Sequence, residues 1–321
     1  MEFKHAFHVF VDNFATTYKL LVYRLIIIAV CAGLGCAVVI PTLNNILGTA
    51  QYEQLSTKFS ELWTQIISLD TAELKNSLRS VLDAIGEFEQ LIISDKAWLV
   101  SVAGVCLAVV YLIYKFLVSV GDYVTGALVN DRMAMHAKSY FTVTLFKNIR
   151  QTLTYAAIYA PIAFAYDLLC ITLMWAIVFV GLGFVPAMIK IFLLAVLFMV
   201  FSAIKFTFTS DWLPSLIHAK STHRNAIIYT FSRKGKNTGG VFSNALVIRL
   251  TVIALNVVAT LFTFGAGLLL TMPATALIQI CFWFVNYFDC NKLKYFVDEY
   301  TVIGPKKETP PTREQFFKGD E

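Results

Sequence analysis

Residues 153–208 decide the fold class and read LTYAAIYAPIAFAYDLLCITLMWAIVFVGLGFVPAMIKIFLLAVLFMVFSAIKFTF. This block contains one acidic residue, Asp167, and two basic residues, Lys190 and Lys205. One short break, Gly181-Leu-Gly-Phe-Val-Pro186, divides it. An α-helix needs about 20 apolar residues to cross a hydrocarbon core of about 30 Å. The block therefore predicts two membrane-spanning helices joined by a tight turn.

The composition of the whole chain is that of a polytopic membrane protein. Of its 321 residues, 58% are hydrophobic and 15% are charged, whereas soluble domains average about 25% charged residues. The sequence predicts an all-α fold with six transmembrane helices. The predicted spans lie at about 20–43, 97–120, 153–183, 187–208, 244–270 and 273–290.

Three further segments complete the predicted domain organisation. Residues 1–19 place Phe3, Phe7, Phe10 and Phe14 at helical spacing, which predicts a cytoplasmic amphipathic helix in the membrane surface. The membrane domain is predicted to cover 20–303, with an external helical insertion at 44–96. The Pro-rich, charged tail 304–321 is predicted to be disordered.

The distribution of lysine and arginine predicts the orientation. Loop 121–152 has four basic residues and loop 211–243 has five, whereas loop 44–96 has four bases against eight acids. Basic loops remain on the cytoplasmic side. We therefore expect a bacterial plasma (inner) membrane protein with both termini in the cytoplasm.

Two short motifs recur and predict an internal repeat. Gly-x-Gly precedes a proline at 33–41, 181–186 and 265–273, and His-Ala-Lys-Ser occurs at 136–139 and 218–221. Each predicted pair of spans also follows an amphipathic stretch. The sequence therefore predicts three units, each built from a surface helix and a helical hairpin.

The insertion 44–96 has its own helical pattern. Apolar residues recur at steps of three and four in two runs, which are Leu55, Phe59, Leu62, Ile66, Leu69 and then Leu74, Leu78, Val81, Ile85, Phe88, Ile92. Between the runs, Asp70 followed by Glu73 three residues later is typical of the N-terminal cap of a helix. Two antiparallel helices are predicted. Two interpretations are open. The hairpin covers its own apolar residues or lies on the membrane, or else residues 52–93 form a docking arm for a protein partner.

Ionisable and amide side chains inside the spans are the candidate site. A charge within a bilayer is costly and marks a functional position by default. Asp167 lies either at mid-membrane, where it could couple ions or contact a solute, or about one turn inside, where it would be an anchor. Arg249 and Asn256 form one stripe, and Gln279 and Asn286 form another beside Asp289.

These stripes allow two interpretations. They either hold the helices together or line a pathway, and Arg249 could pair with Asp289. Four other bases lie near predicted span ends and are expected to extend toward the headgroups: Arg24, Lys115, Lys190 and Lys205.

Motifs of known chemistry do not occur in this sequence. It has no Walker loop, Gly-x-Ser-x-Gly, His-Glu-x-x-His or dinucleotide fingerprint, and its five histidines lack metal-ligand spacing. We predict no enzyme activity, cofactor or metal. The basic loops are expected to contact anionic lipid headgroups rather than nucleic acid.

The N-terminal pattern carries a resemblance. Lys4-His-Ala-Phe7 and Asn13-Phe-Ala-Thr-Thr-Tyr-Lys19, leading into an apolar run, are similar to uncharacterised six-span bacterial membrane proteins. Among these is the membrane domain attached to some bacterial glycerophosphodiester phosphodiesterases. The resemblance implies a six-span domain without their catalytic domain. The leading hypothesis is a scaffold or assembly partner, and the alternative is a permease-type transporter of a small solute or lipid.

Overall fold

The computed structural model of the chain describes residues 2–68, 71–182, 187–232 and 238–304. The chain forms two compact units. Unit 1 comprises Met1–Leu25 and Lys115–Glu321, and unit 2 comprises Ile26–Tyr114. The predicted turn 183–186 and the predicted disordered tail beyond residue 304 lie outside the described residues.

Helices make up almost all of the described chain. In chain order they are α1 Glu2–Asp12, α2 Ala15–Leu47, α3 Ala50–Ser68, α4 Thr71–Ser94, α5 Ala97–Met135, α6 Phe141–Lys147, α7 Ile149–Trp175, α8 Ala187–Thr209, α9 Trp212–Ile217, α10 His223–Ser232, α11 Thr238–Thr263 and α12 Leu268–Cys290. A π-helical turn, Ala176–Gly181, continues α7. Two short strands follow α12, β1 Tyr295–Phe296 and β2 Val302–Ile303, and they pair antiparallel.

Six helical stretches among the described residues are long and apolar enough to cross a membrane. They are Ala15–Leu47, Ala97–Met135, Ile149–Gly181, Phe192–Ile217, Gly239–Thr263 and Leu268–Cys290. The prediction of a multi-pass, predominantly helical membrane protein is therefore confirmed. The small β-pair after α12 is an addition to the predicted all-α fold.

The helix ends differ from the ends of the apolar runs. α5 continues to Met135, although its apolar run ends near residue 120, and its extension buries Tyr123, Val124 and Val129. α11 ends at Thr263, and the chain then turns through Phe264 and Gly265, both with positive φ. Glycine adopts that conformation without steric cost.

The core of unit 1 surrounds α12. Its residues from Ile280 to Phe288 are all buried, as expected for a helix that is apolar on every side. α1 packs against α12, and it buries Ala6 and Val9 rather than the aromatic stripe that the sequence emphasises. Phe7 and Phe14 remain exposed. The small side chain of Ala6 allows α1 to approach the core closely.

The helical hairpin of unit 2 consists of α3 and α4, which pack along each other. Tyr52 at the start of α3 contacts Phe88 near the end of α4, with ring centroids 6.2 Å apart, so the two helices are antiparallel. Among the side chains that the structure describes in these helices, the seam buries Leu62, Val81, Ala84 and Leu91. Phe59, Leu78 and Ile85, which the periodicity placed in the seam, are exposed.

The repeated motifs have different local structures at their different sites. Gly33 and Gly35 lie inside α2, which continues to Leu47, whereas Gly265 forms the turn before α12. Each His-Ala-Lys-Ser copy begins directly after a helix, and each contains one residue in the left-handed conformation. That residue is His136, the first of one copy, but Lys220, the third of the other. The threefold repeat remains a prediction.

Candidate functional site

Asp167 on α7 is held between two lysines from neighbouring helices. Lys115 of α5 approaches Oδ2 at 2.7 Å, and Lys205 of α8 approaches Oδ1 at 2.7 Å. Both carboxylate oxygens are therefore occupied, and the three side chains together join three helices. Each of them is about one-fifth exposed. Asp167 lies near the middle of the Ile149–Gly181 stretch.

A second ion pair lies on the same face of α5. Asp122 follows Lys115 by two helical turns, so both side chains point to one side of the helix. Arg24 of α2 contacts the Asp122 carboxylate at 3.5 Å and also donates to the carbonyl oxygen of Met272 at 3.3 Å. Nearby, the Tyr23 hydroxyl donates to the Leu117 carbonyl at 2.8 Å. These contacts connect α2 to α5 and α12.

Arg249 on α11 completes the cluster, and it forms no ion pair with the residues that the structure describes. Its guanidinium lies 5.3 Å from the centre of the Phe206 ring, a cation–π arrangement. Its Nε is buried and has no hydrogen-bond partner among the described residues. Asp167 is close enough to interact with Arg249 electrostatically.

These six charged side chains form what we call the intramembrane charge cluster: Arg24, Lys115, Asp122, Asp167, Lys205 and Arg249. Four bases and two acids leave a formal excess of two positive charges. Tyr166 borders the cluster, because its ring lies 5.8 Å from the Lys205 amine and its hydroxyl donates to the Phe201 carbonyl at 2.8 Å. Removing one partner of such a pair leaves an uncompensated charge and costs about 3–5 kcal/mol when the pair is buried.

The other predicted site residues lie in separate places. Asn256 accepts a hydrogen bond from Thr271 at 2.7 Å, which joins α11 to α12. Asn286 is buried and donates to Asp211 at 3.4 Å. Gln279 is half-buried and has no hydrogen-bond partner within the described part of the chain. The structure therefore brings Asp167 near Arg249, whereas the amide side chains of Asn256, Gln279 and Asn286 lie elsewhere.

Asp289 belongs to a different contact. It accepts a hydrogen bond from the Tyr295 hydroxyl at 2.8 Å, and that hydroxyl also lies 3.1 Å from Nδ1 of His5. Arg249 and Asp289 could pair by their sequence positions, but in the structure Arg249 packs on the Phe206 ring instead. The Asp289 contact connects α12, β1 and α1.

Sequence reasoning missed most of the charge cluster. Arg24, Lys115 and Lys205 were expected to extend toward headgroups, and Asp122 was assigned to a cytoplasmic loop. The structure turns all three bases toward acidic or carbonyl partners inside unit 1. One signal was available, namely the opposite charges of Lys115 and Asp122 two turns apart on one helix face. Lys190, in contrast, lies over the Phe179 ring at 5.8 Å.

Comparisons with known proteins identify no relative: no protein-family model, curated protein or solved structure matches the chain. The described residues contain no group of three or more His, Cys, Asp or Glu side chains that could hold a metal ion. The geometry of the site and of unit 2 is therefore the basis for any functional conclusion.

Proposed function

We propose that the chain is a non-catalytic assembly partner that binds another membrane protein through unit 2. The observation that carries this proposal is a second apolar face on the external hairpin, in addition to the seam. Six large apolar side chains form it, and all are exposed: Phe59, Trp63, Ile67, Leu78, Leu82 and Ile85. We call this surface the outer hairpin face.

The six residues lie on one side of the hairpin. Trp63 directly follows the buried Leu62, and Leu82 directly follows the buried Val81. Both are therefore rotated from the seam in the same sense along their own helices. Because the helices run antiparallel, this common rotation places the two rows on the same side. Trp63 and Leu82 are each 59% exposed, and exposed apolar patches of this kind mark interaction sites.

The charges around the outer hairpin face indicate the occupant. Segment 44–96 carries eight acidic and four basic residues. A second copy of the hairpin would bring two acidic surfaces together, and an anionic membrane surface would repel it. The complementary partner is a helix of another protein with an apolar stripe flanked by lysine or arginine.

The membrane-spanning part of unit 2 also supports association. Residues 28–47 of α2 and 97–114 of α5 include no buried position. Ala29, Gly33 and Ala37 lie four residues apart on α2, and an added Cβ at Gly33 would meet nothing within 4 Å. Rows of small residues let transmembrane helices approach closely. Such a row fits a partner helix in the bilayer.

Site-specific photocrosslinking tests the proposal. A photoreactive amino acid at Trp63 or Leu82 should give an adduct with a heterologous protein. The yield of the adduct should fall as salt is raised, because salt screens the attraction between the acidic hairpin and a basic partner. The same probe at Glu87, an exposed residue on the opposite side of α4, is the matched control. Adducts containing two copies of the chain, adducts with lipid only, or equal crosslinking at Glu87 would overturn it.

A transporter is the second candidate, and the positive excess of the intramembrane charge cluster favours it. A pathway for an anionic solute would pass Asp167 and Arg249 and continue past Asn256 and Asn286. Single cysteines at these four positions, treated with a membrane-impermeant maleimide, test it. Reaction at all four supports a hydrated pathway, whereas protection at 256 and 286 contradicts it.

A further inference from the structure

A pocket of about 200 Å³, lined by both polar and apolar side chains, lies where α1 meets α2, beside the end of α5. The segment before α6 forms its remaining wall. The lining residues are Asp12, Asn13, Ala15, Thr16, Lys19, Leu128, Arg132, Ala137, Lys138, Ser139 and Tyr140. All of them belong to unit 1. None of them is part of the intramembrane charge cluster.

The acid in the pocket wall is already neutralised. Arg132 binds both oxygens of Asp12, with Nε to Oδ2 at 2.6 Å and Nη2 to Oδ1 at 3.0 Å. Asp131, which does not line the pocket, accepts a hydrogen bond from the lining residue Ser139 at 2.6 Å. The paired Arg132 and Asp12 contribute no net charge to the pocket.

Two lysines provide the remaining charge. Lys19 and Lys138 both line the pocket, and both are exposed. Lys19 lies 5.8 Å from the Tyr140 ring centre. Among the described residues, neither lysine has a carboxylate within 4.0 Å. The pocket therefore holds two unneutralised ammonium groups on opposite segments of the chain.

The neutral groups of the pocket add hydrogen-bond donors. The Thr16 hydroxyl has no hydrogen-bond partner within the described part of the chain. The Asn13 amide donates to the Val9 carbonyl at 2.8 Å, which fixes its orientation. Two ammonium groups and a hydroxyl around a small volume match the charge and the acceptor oxygens of a phosphate group.

We propose that this pocket, the Lys19–Lys138 pocket, binds a phosphate group. Lys19 directly precedes the apolar run of α2, so the phosphate could belong to an anionic lipid headgroup or to a soluble ion. In either case it would connect the start of α2 to the segment 137–140. This site is independent of the proposed assembly function, which rests on unit 2.

Thermal unfolding with defined additives tests the pocket. The probes are inorganic phosphate in a neutral detergent, with chloride at equal ionic strength as reference, and nanodiscs of phosphatidylglycerol compared with phosphatidylcholine. A ligand that binds only the folded state raises its Tm. We expect at least one probe to raise Tm, and Lys19→Gln with Lys138→Gln to weaken its apparent affinity at least tenfold.

Lys147→Gln with Arg150→Gln is the matched control. Both residues are exposed bases near the same segment, and neither lines the pocket. Loss of the Tm shift in the first double variant only supports the pocket, and phosphate acting alone identifies a soluble ligand. A shift with phosphatidylglycerol only identifies the headgroup. No shift with any probe, or an equal loss in both double variants, would overturn the proposal.

Discussion

Asp167 is the residue whose role changes most when its neighbours are known. Alone in an apolar run, it could be a proton carrier, a ligand for a solute or an anchor. With Lys115 and Lys205 each 2.7 Å away, its charge is compensated from both sides. The sequence could not predict this arrangement, because the rotation of α5 and α8 about their axes decides which bases face α7.

Asp167→Asn should destabilise the protein, because it leaves two lysines close together without a counter-charge. We expect a loss of up to about 3–5 kcal/mol, reduced by the partial exposure of the three side chains. Thermal unfolding in a mild detergent measures it. Glu61→Gln is the control, since it breaks the exposed Lys58–Glu61 pair and should cost about 0–1 kcal/mol. Equal effects of the two substitutions would contradict the structural role of Asp167.

The stability of the protein should depend on pH through His218. Burial lowers the pKa of its imidazole, which lies 3.0 Å from Oδ1 of Asn130 and 4.6 Å from the centre of the Phe288 ring. The unfolded chain then binds the proton more readily than the folded protein. Stability is complete above about pH 6.5 and falls as the pH drops below that value. His218→Gln should flatten the dependence of Tm between pH 7.5 and 5.5, and an unchanged slope would contradict this.

At the scale of elements, the apolar periodicity predicted which helices exist but not every buried face. In the α3–α4 hairpin the periodicity places Phe59 and Leu62 of α3, and Leu78 and Val81 of α4, in the seam. Of these four residues, only Leu62 and Val81 are buried. Each helix has an apolar sector wide enough for the seam and one flank. Apolar residues at steps of three and four occur both in the seam and on its flank. The periodicity alone therefore could not predict the outer hairpin face.

Two glycines on α5 provide an element-scale test. An added Cβ at Gly121 would lie 2.6 Å from Cε1 of Tyr23, whereas at Gly104 it would meet nothing within 4 Å. Gly121→Ala should therefore displace the Tyr23 ring and destabilise the protein by about 1–3 kcal/mol. Gly104→Ala should be neutral or stabilising by up to about 1 kcal/mol. Both changes are measured by thermal unfolding, and the reverse order would contradict the packing of α2 on α5.

At the scale of the whole molecule, the six spans were evident from the sequence because apolar runs of about 20 residues have few other uses. The division into two units was not evident, because it falls within α2 and α5 rather than in a linker. We predict that these six spans leave both termini on one side of the membrane and segment 44–96 on the other.

Labelling of intact cells tests this topology. A membrane-impermeant maleimide should react with a single cysteine at exposed Glu87 in a chain whose six native cysteines are replaced. A cysteine at exposed Lys147 should react only after the membrane is permeabilised. Labelling at 147 in intact cells would contradict the orientation.

The central claim is that unit 2 associates with another protein, and protection of the outer hairpin face tests it most directly. Single cysteines at Trp63 and Leu82, with Glu87 as control, are labelled in native membranes and in proteoliposomes of the pure protein in the same lipids. We predict protection at 63 and 82 in native membranes, reaction at both in proteoliposomes, and reaction at 87 in both. Equal reactivity of 63 and 82 in the two preparations would contradict the account.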